Sequence, residues 1–222
     1  MNMNIKQVEE LLLQSLEHEV GGTKVYRTAI SCAQNADLAK EWKKYLAETE
    51  QHVATLTEVC RAMGIDPERE TPGRAVVRFL GGALVEAMNM AKKAGDPAAA
   101  QLVACECVVN AENKDHLDWT LIGKCADALE GEKGDALREA YDEHEDEEDE
   151  HLYHSKGWCR ELWIQSLGIN AMLPPPEERM KVKTAMGAAK AEAAGEKVRM
   201  PGNPNQAIAT PAAAAAPRTR RP

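Results

Sequence analysis

Two short segments repeat one arrangement of metal-ligating side chains. Glu48-Thr-Glu-Gln-His52 and Glu147-Glu-Asp-Glu-His151 each end on a histidine, and each has a cysteine eight residues further on, at Cys60 and Cys159. Two more glutamates keep a matching distance of their own: Glu19 precedes Tyr26 by seven residues, and Glu112 precedes Trp119 by seven. A Glu and a His three or four positions apart share one face of a helix. One carboxylate from each of two helices, with a carboxylate and an imidazole from each of two others, would offset the roughly four positive charges of two adjacent divalent ions. Glu19 and Glu112 strengthen that reading, because each sits on an apolar stripe, where a lone carboxylate costs several kcal/mol unless paired or coordinated.

In the second segment two acids compete for the inward position. Glu148 stands three residues before His151, whereas Glu147 stands four before it and matches the Glu48 to His52 step. Eight of the nine residues from Asp142 to Glu150 are acidic, so the spacing leaves both as candidates. His116, one turn after Glu112, is a further candidate ligand or a partner of one. Tyr26 and Trp119 read first as core residues, and second as aromatic neighbours able to hydrogen-bond a ligand. His18, His144 and His154 read as hydrogen-bonded core histidines, and the six cysteines as reduced thiols filling core positions.

Four long helices must position these groups. Leu12, Leu16, Glu19, Thr23, Tyr26 and Ile30 recur at steps of three and four, which predicts a helix from about Ile5 to Ala33. Trp42, Tyr45, Glu48, His52, Leu56 and Val59 predict a second, capped by Asp37 and ended by Gly64. After a loop dense in Gly and Pro, Arg74 to Gly95 reads as a shorter amphipathic crossover helix, with Val76, Val77, Leu80, Leu84 and Met88 on one side. Asp96-Pro97 opens a third long helix that carries Leu102, Cys105, Val109, Glu112, His116, Trp119 and Ile122. Asp135 to Leu167 forms the fourth. Residues 1–170 are thus expected to form one helical domain, and the Pro- and Ala-rich residues 171–222 a disordered basic tail.

Composition agrees with an all-α class: only 4% of residues are aromatic, and Ala, Leu, Glu and Lys dominate. The net charge of -9 is divided unevenly, with 9 Lys and Arg against 4 acids after Leu167 and 18 against 32 before it. An acidic body disfavours nucleic acid and attracts cations. Residues 1–10 lack the pattern of a secretory signal, no run approaches the roughly 18 apolar residues of a membrane helix, and the cysteines are unpaired in sequence; a cytoplasmic location is the expectation.

On these residues the chain resembles the ferritin-like di-iron carboxylate superfamily, and in Glu48-Thr-Glu-Gln-His52 it looks most like small bacterial stress-associated ferritin-like proteins. The likeness covers roughly Ile5 to Leu167. It implies an all-α four-helix bundle with a crossover helix between the second and third long helices. The ligands it implies for two iron ions are Glu19, Glu112, Glu48 with His52, and Glu147 or Glu148 with His151. The family motif is Glu-x-x-His, and this sequence departs from it at Thr49, three before His52. The implied activity is a reaction of the metal pair with dioxygen or hydrogen peroxide, in iron handling or oxidative stress, with manganese as the nearest variant. The alternative is a metal-free helical scaffold whose tail docks a partner. A homodimer joined through the crossover helix is expected, rather than a storage shell.

Overall fold

The structure, a computed structural model, describes residues 3–199. Among these residues every regular element is a helix: α1 (Ile5–Cys32), α2 (Ala36–Met63), α3 (Pro72–Lys93), α4 (Pro97–Ala128), α5 (Glu132–Ser166), α6 (Pro176–Arg179) and α7 (Ala185–Arg199). Most boundaries follow from local chemistry. Asp96 accepts hydrogen bonds from the amides of Ala98 and Ala99, with Pro97 at the first helical position. Gly64 ends α2 with φ 78°, a left-handed conformation that glycine adopts without strain. The cap of α2 is Asn35 rather than Asp37: the Asn35 side chain accepts from the amides of Asp37 and Leu38, so Asp37 lies inside the first turn.

Helix α1 packs against α2, α3 and α4, and α5 packs against α2 and α4. Their inward faces form two apolar clusters. One gathers Val25, Tyr26 and Ala29 with Trp42, Tyr45, Val108, Trp158 and Leu162. The other gathers Leu12, Leu16, Leu56, Val59, Trp119, Ile122 and Leu137. Between them lies a layer of buried polar groups, Glu19, Thr49, His52, Glu112, Asp115, Glu148 and His151, each no more than 5% exposed. On each long helix the polar positions fall between an apolar residue of one cluster and one of the other. The hydrophobic driving force therefore brings them together without their contributing to it.

Helix α3 sets the rotation of α1. Glu17 of α1 accepts from Arg74 Nε at 2.9 Å and from Arg78 Nε at 2.7 Å. The two helices approach so closely at Gly21 and Gly81 that a Cβ on Gly81 would sit 3.6 Å from the Gly21 Cα. Holding Glu17 outward turns Glu19, two residues on, toward the interior. Of the apolar residues expected on one side of α3, Val77 and Met88 are buried and Leu84 packs on the core, but Val76 and Leu80 are exposed, as is Phe79.

Residues 171–199 depart from the expected disorder. Helices α6 and α7 fold back onto α5, where Arg199 donates to both oxygens of the fully buried Glu161 and Arg160 pairs with the buried Glu177. Gly157 makes room for this contact, since a Cβ there would lie 2.5 Å from Glu177 Oε2. Buried ion pairs and small residues order this segment, and a hydropathy pattern does not register either. The expected disorder of residues 200–222 lies outside the described residues. No described helix is long and apolar enough to cross a membrane.

Candidate metal centre

The polar layer is built by exchange between two halves of the molecule. Trp119 of α4 donates through Nε1 to Glu19 of α1 at 2.8 Å, and the Tyr26 hydroxyl of α1 donates to Glu112 of α4 at 2.8 Å. The histidines follow the same rule. His52 Nε2 of α2 lies 2.9 Å from Glu147 Oε2 of α5, and His151 Nε2 of α5 lies 2.9 Å from Glu48 Oε2 of α2. Each aromatic and each outer glutamate thus holds a group belonging to the opposite half.

Glu147 and Glu48 stand on the outer side of the histidines and leave Nδ1 of each ring facing inward. A ring that donates from Nε2 to a carboxylate presents a lone pair at Nδ1, the state a metal-ligating histidine requires. Around the two Nδ1 atoms are three inner carboxylates. His52 Nδ1 lies 2.9 Å from Glu148 Oε1 and 3.4 Å from Glu19 Oε1. His151 Nδ1 lies 3.7 Å from Glu112 Oε2 and 3.9 Å from Glu148 Oε1. Two sets, Glu19 with His52 and Glu148, and Glu112 with Glu148 and His151, each bring three ligand atoms within 4.8 Å of one another. Glu148 belongs to both.

Short distances here do not mean hydrogen bonds. His52 Nδ1, both oxygens of Glu148, Oε2 of Glu19 and Oε2 of Glu112 are buried with no hydrogen-bond partner. Leaving one such atom unsatisfied costs roughly 1–3 kcal/mol, and five share this small volume. A cation would satisfy all of them at once. The residues present therefore fit a pair of ions, with oxygen and imidazole donors of the kind that iron and manganese accept.

The charge environment agrees. Burial pushes the carboxyl of Glu112 up to about 7, against the opposing pull of His151. Burial likewise raises Glu148 to about 7, with the Glu19 charge adding to it. For Glu19, burial works upward, but the nearby charge of His52 and the hydrogen bond from Trp119 outweigh it and hold the carboxyl below its ordinary value. Burial lowers His52, yet Glu19, Glu147 and Glu148 together raise its imidazole well above the ordinary range. Glu147, hydrogen-bonded to His52, falls to about 2. An uncompensated negative charge thus gathers on the inner ring, and protons or cations must balance it.

The structure separates the two acids that the spacing could not: Glu148 is 1% exposed and inward, while Glu147 is half-buried and outward. Glu48 takes the same outer role as Glu147. His116 turns away from the ring, 2.7 Å from Asp149 Oδ1, half-buried and outside both ligand sets. Tyr26 and Trp119 are buried core residues that also hydrogen-bond inner carboxylates. His144 is buried on the outer side of His52, 3.3 Å from Glu147 Oε2 with ring centroids 4.4 Å apart, and Tyr45 covers His151 at 4.1 Å.

Asp115 is the residue that the sequence reading missed. It is 5% exposed, its Oδ1 has no partner, and burial with the charges of Glu148, Glu19 and Glu112 pushes its carboxyl well above the ordinary range. The available signal was Glu112-Asn-Lys-Asp115, two acids three apart on an inward face.

Compared with protein-family models, curated proteins and solved structures, the chain has no significant match in any of the three. The site is therefore read from its own geometry.

Proposed function

We propose that this chain is a ferritin-like four-helix bundle, α1, α2, α4 and α5 with α3 as the crossover, and that it holds two iron or manganese ions. Glu19 and His52 would hold one ion, Glu112 and His151 the other, and Glu148 would lie between them. The observation that carries this reading is the double membership of Glu148, whose oxygens are both buried without a hydrogen bond between two otherwise separate ligand sets. A metal-free scaffold would close its buried polar groups in hydrogen bonds. Five open ligand atoms in one layer count against that alternative.

When bound, such a pair supplies redox chemistry toward dioxygen or hydrogen peroxide. The protein's own part is more specific. Glu48 and Glu147 fix the tautomer and orientation of the two histidines, and Trp119 and Tyr26 orient the terminal carboxylates. The two apolar clusters exclude bulk water from above and below the layer. Asp115 adds a buried carboxylate able to hold a proton beside Glu112 and Glu148.

The test is elemental analysis of the full chain purified without chelator. About two iron or manganese ions per chain, lost in Glu112→Ala, are expected, followed by consumption of peroxide or dioxygen by the loaded protein. No metal in the unaltered chain, even after anaerobic addition of ferrous iron, would sink the proposal.

A further inference from the structure

One turn beyond the polar layer along α5, a second group of ligand atoms converges. Glu41 of α2 and Glu150 and His154 of α5 bring two carboxylate oxygens and an imidazole nitrogen within 4.8 Å of one another. None of the three belongs to the ligand sets of the centre. His154 is 3% exposed; its Nδ1 lies 3.4 Å from Glu41 Oε1, while its Nε2 is buried with no partner. The imidazole thus turns one nitrogen to a carboxylate at long range and leaves the other unpaired, so its bonding capacity is not used up within the fold.

The surroundings repeat the point. Glu178 of α6 has a buried Oε2 without a hydrogen bond, and Glu41 and His154 are among the groups whose charges act on it. The cation now at hand is Lys44, which pairs with Glu150 and lies 3.4 Å from Glu48 Oε1. Its side chain is 46% exposed, so the ammonium is free to withdraw into water. The carboxylates of Glu41 and Glu150, with side chains 17% and 19% exposed, are reachable from solvent.

The internal repeat has no second copy of this group. Counting from the matched pairs Glu48 with Glu147 and His52 with His151, the positions corresponding to Glu41, Glu150 and His154 are Ala140, Gln51 and Thr55. The cluster thus breaks the repeat and occurs on one side of the central layer. It also touches the centre through Tyr45: the Tyr45 hydroxyl donates to Glu41 Oε1 at 2.6 Å, and its ring lies 4.1 Å from that of His151.

From this we infer that Glu41, Glu150 and His154 form a mononuclear site for a divalent transition-metal ion, taken directly from solvent and exchanged against the ammonium of Lys44. Two carboxylates and one imidazole favour manganese, ferrous iron, cobalt or zinc over magnesium and calcium, which take oxygen ligands. The inference does not depend on the dinuclear centre, since the ligands are disjoint.

The test is titration of the metal-free full chain with Co²⁺, following the visible absorption of the bound ion and heat on binding. The unaltered chain should bind one more Co²⁺ than His154→Ala or Glu41→Gln. Lys44→Met should bind that same ion about fivefold or more tightly, because the competing ammonium is gone. Glu41→Gln keeps an acceptor for Tyr45, so the test survives if His154→Ala folds poorly. Glu112→Ala should leave this ion in place while emptying the centre, and if the centre binds nothing, the unaltered chain should still bind one Co²⁺. Equal stoichiometry and affinity in the unaltered chain, Glu41→Gln and Lys44→Met would overturn the inference.

Discussion

The pair α1 with α2 and the pair α4 with α5 carry the same framework and unequal charge. Glu19, Tyr26, Glu48 and His52 in the first pair answer Glu112, Trp119, Glu147 and His151 in the second, and the hydrogen bonds that aim them cross from pair to pair. Two matched positions break the likeness. Thr49 stands where the second pair has Glu148, and Gly22 where it has Asp115. Gly22 and Thr49 face each other, for a Cβ on Gly22 would meet Thr49 Cγ2 at 3.3 Å. The first pair therefore supplies one inner carboxylate and a small, neutral wall, and the second supplies three. Removing carboxylates from one side lowers the repulsion within a buried ring, and in the proposed dinuclear site it would make the single shared glutamate indispensable.

The largest effect should come from Glu148→Gln. It is expected to abolish binding of both ions, whereas Glu147→Gln, its neighbour on the outer side of His52, should weaken binding only about 10–100-fold. Metal content and affinity of the two variants, measured side by side, decide the matter; equal losses would mean that Glu148 is not shared. Next in size is the repair of the asymmetry by Thr49→Glu. A fifth carboxylate in the metal-free layer should lower stability by about 3 kcal/mol, or roughly 10 °C in melting temperature, and added Mn²⁺ should restore most of it. If the metal-free variant melts like the unaltered protein, Thr49 does not face the ring. The smallest effect is in the pH dependence. Glu112 and Glu148 hold protons up to about pH 7, against 4.5 for an ordinary glutamate. Below about 7 these protons compete with metal, so affinity should fall by up to about tenfold per proton for each pH unit. Through these two carboxyls the metal-free fold binds protons that the unfolded chain has released between 4.5 and 7, so their contribution to its stability should decline as pH rises through that window. A flat melting profile there would show that the two carboxyls are relaxed by water.

Much of this arrangement was legible beforehand, for identifiable reasons. The four long helices declare themselves through apolar stripes at steps of three and four, and Glu19, His52, Glu112 and His151 interrupt those stripes at matched places. Glu147 and Glu148 were inseparable because a run of acids carries no periodicity; only the packing of α5 against α2 and α4 shows which one is enclosed. Asp115 escapes notice in the sequence because one inward carboxylate each from α1 and α4 already completes the expected ligand set. His144 and His154 are buried, as their places on an apolar face imply, yet His144 also faces Glu147 three residues on, and His154 faces Glu41 of α2, which no local pattern associates with it. The ordering of residues 176–199 rests on Arg199 with Glu161 and Arg160 with Glu177. Pairings of that kind follow from the fold and do not announce it.

The crossed hydrogen bonds also govern when the site comes into being. The bond from Tyr26 to Glu112 spans 86 residues, His52 to Glu147 spans 95, Trp119 to Glu19 spans 100, and His151 to Glu48 spans 103. A nascent chain that has emerged only as far as α3 carries a carboxylate and an imidazole with nothing to aim them, and contacts of such separation close late. Under the proposed function, capture of a reactive metal would thereby be deferred until synthesis has passed α5, when the chain is able to enclose what it binds.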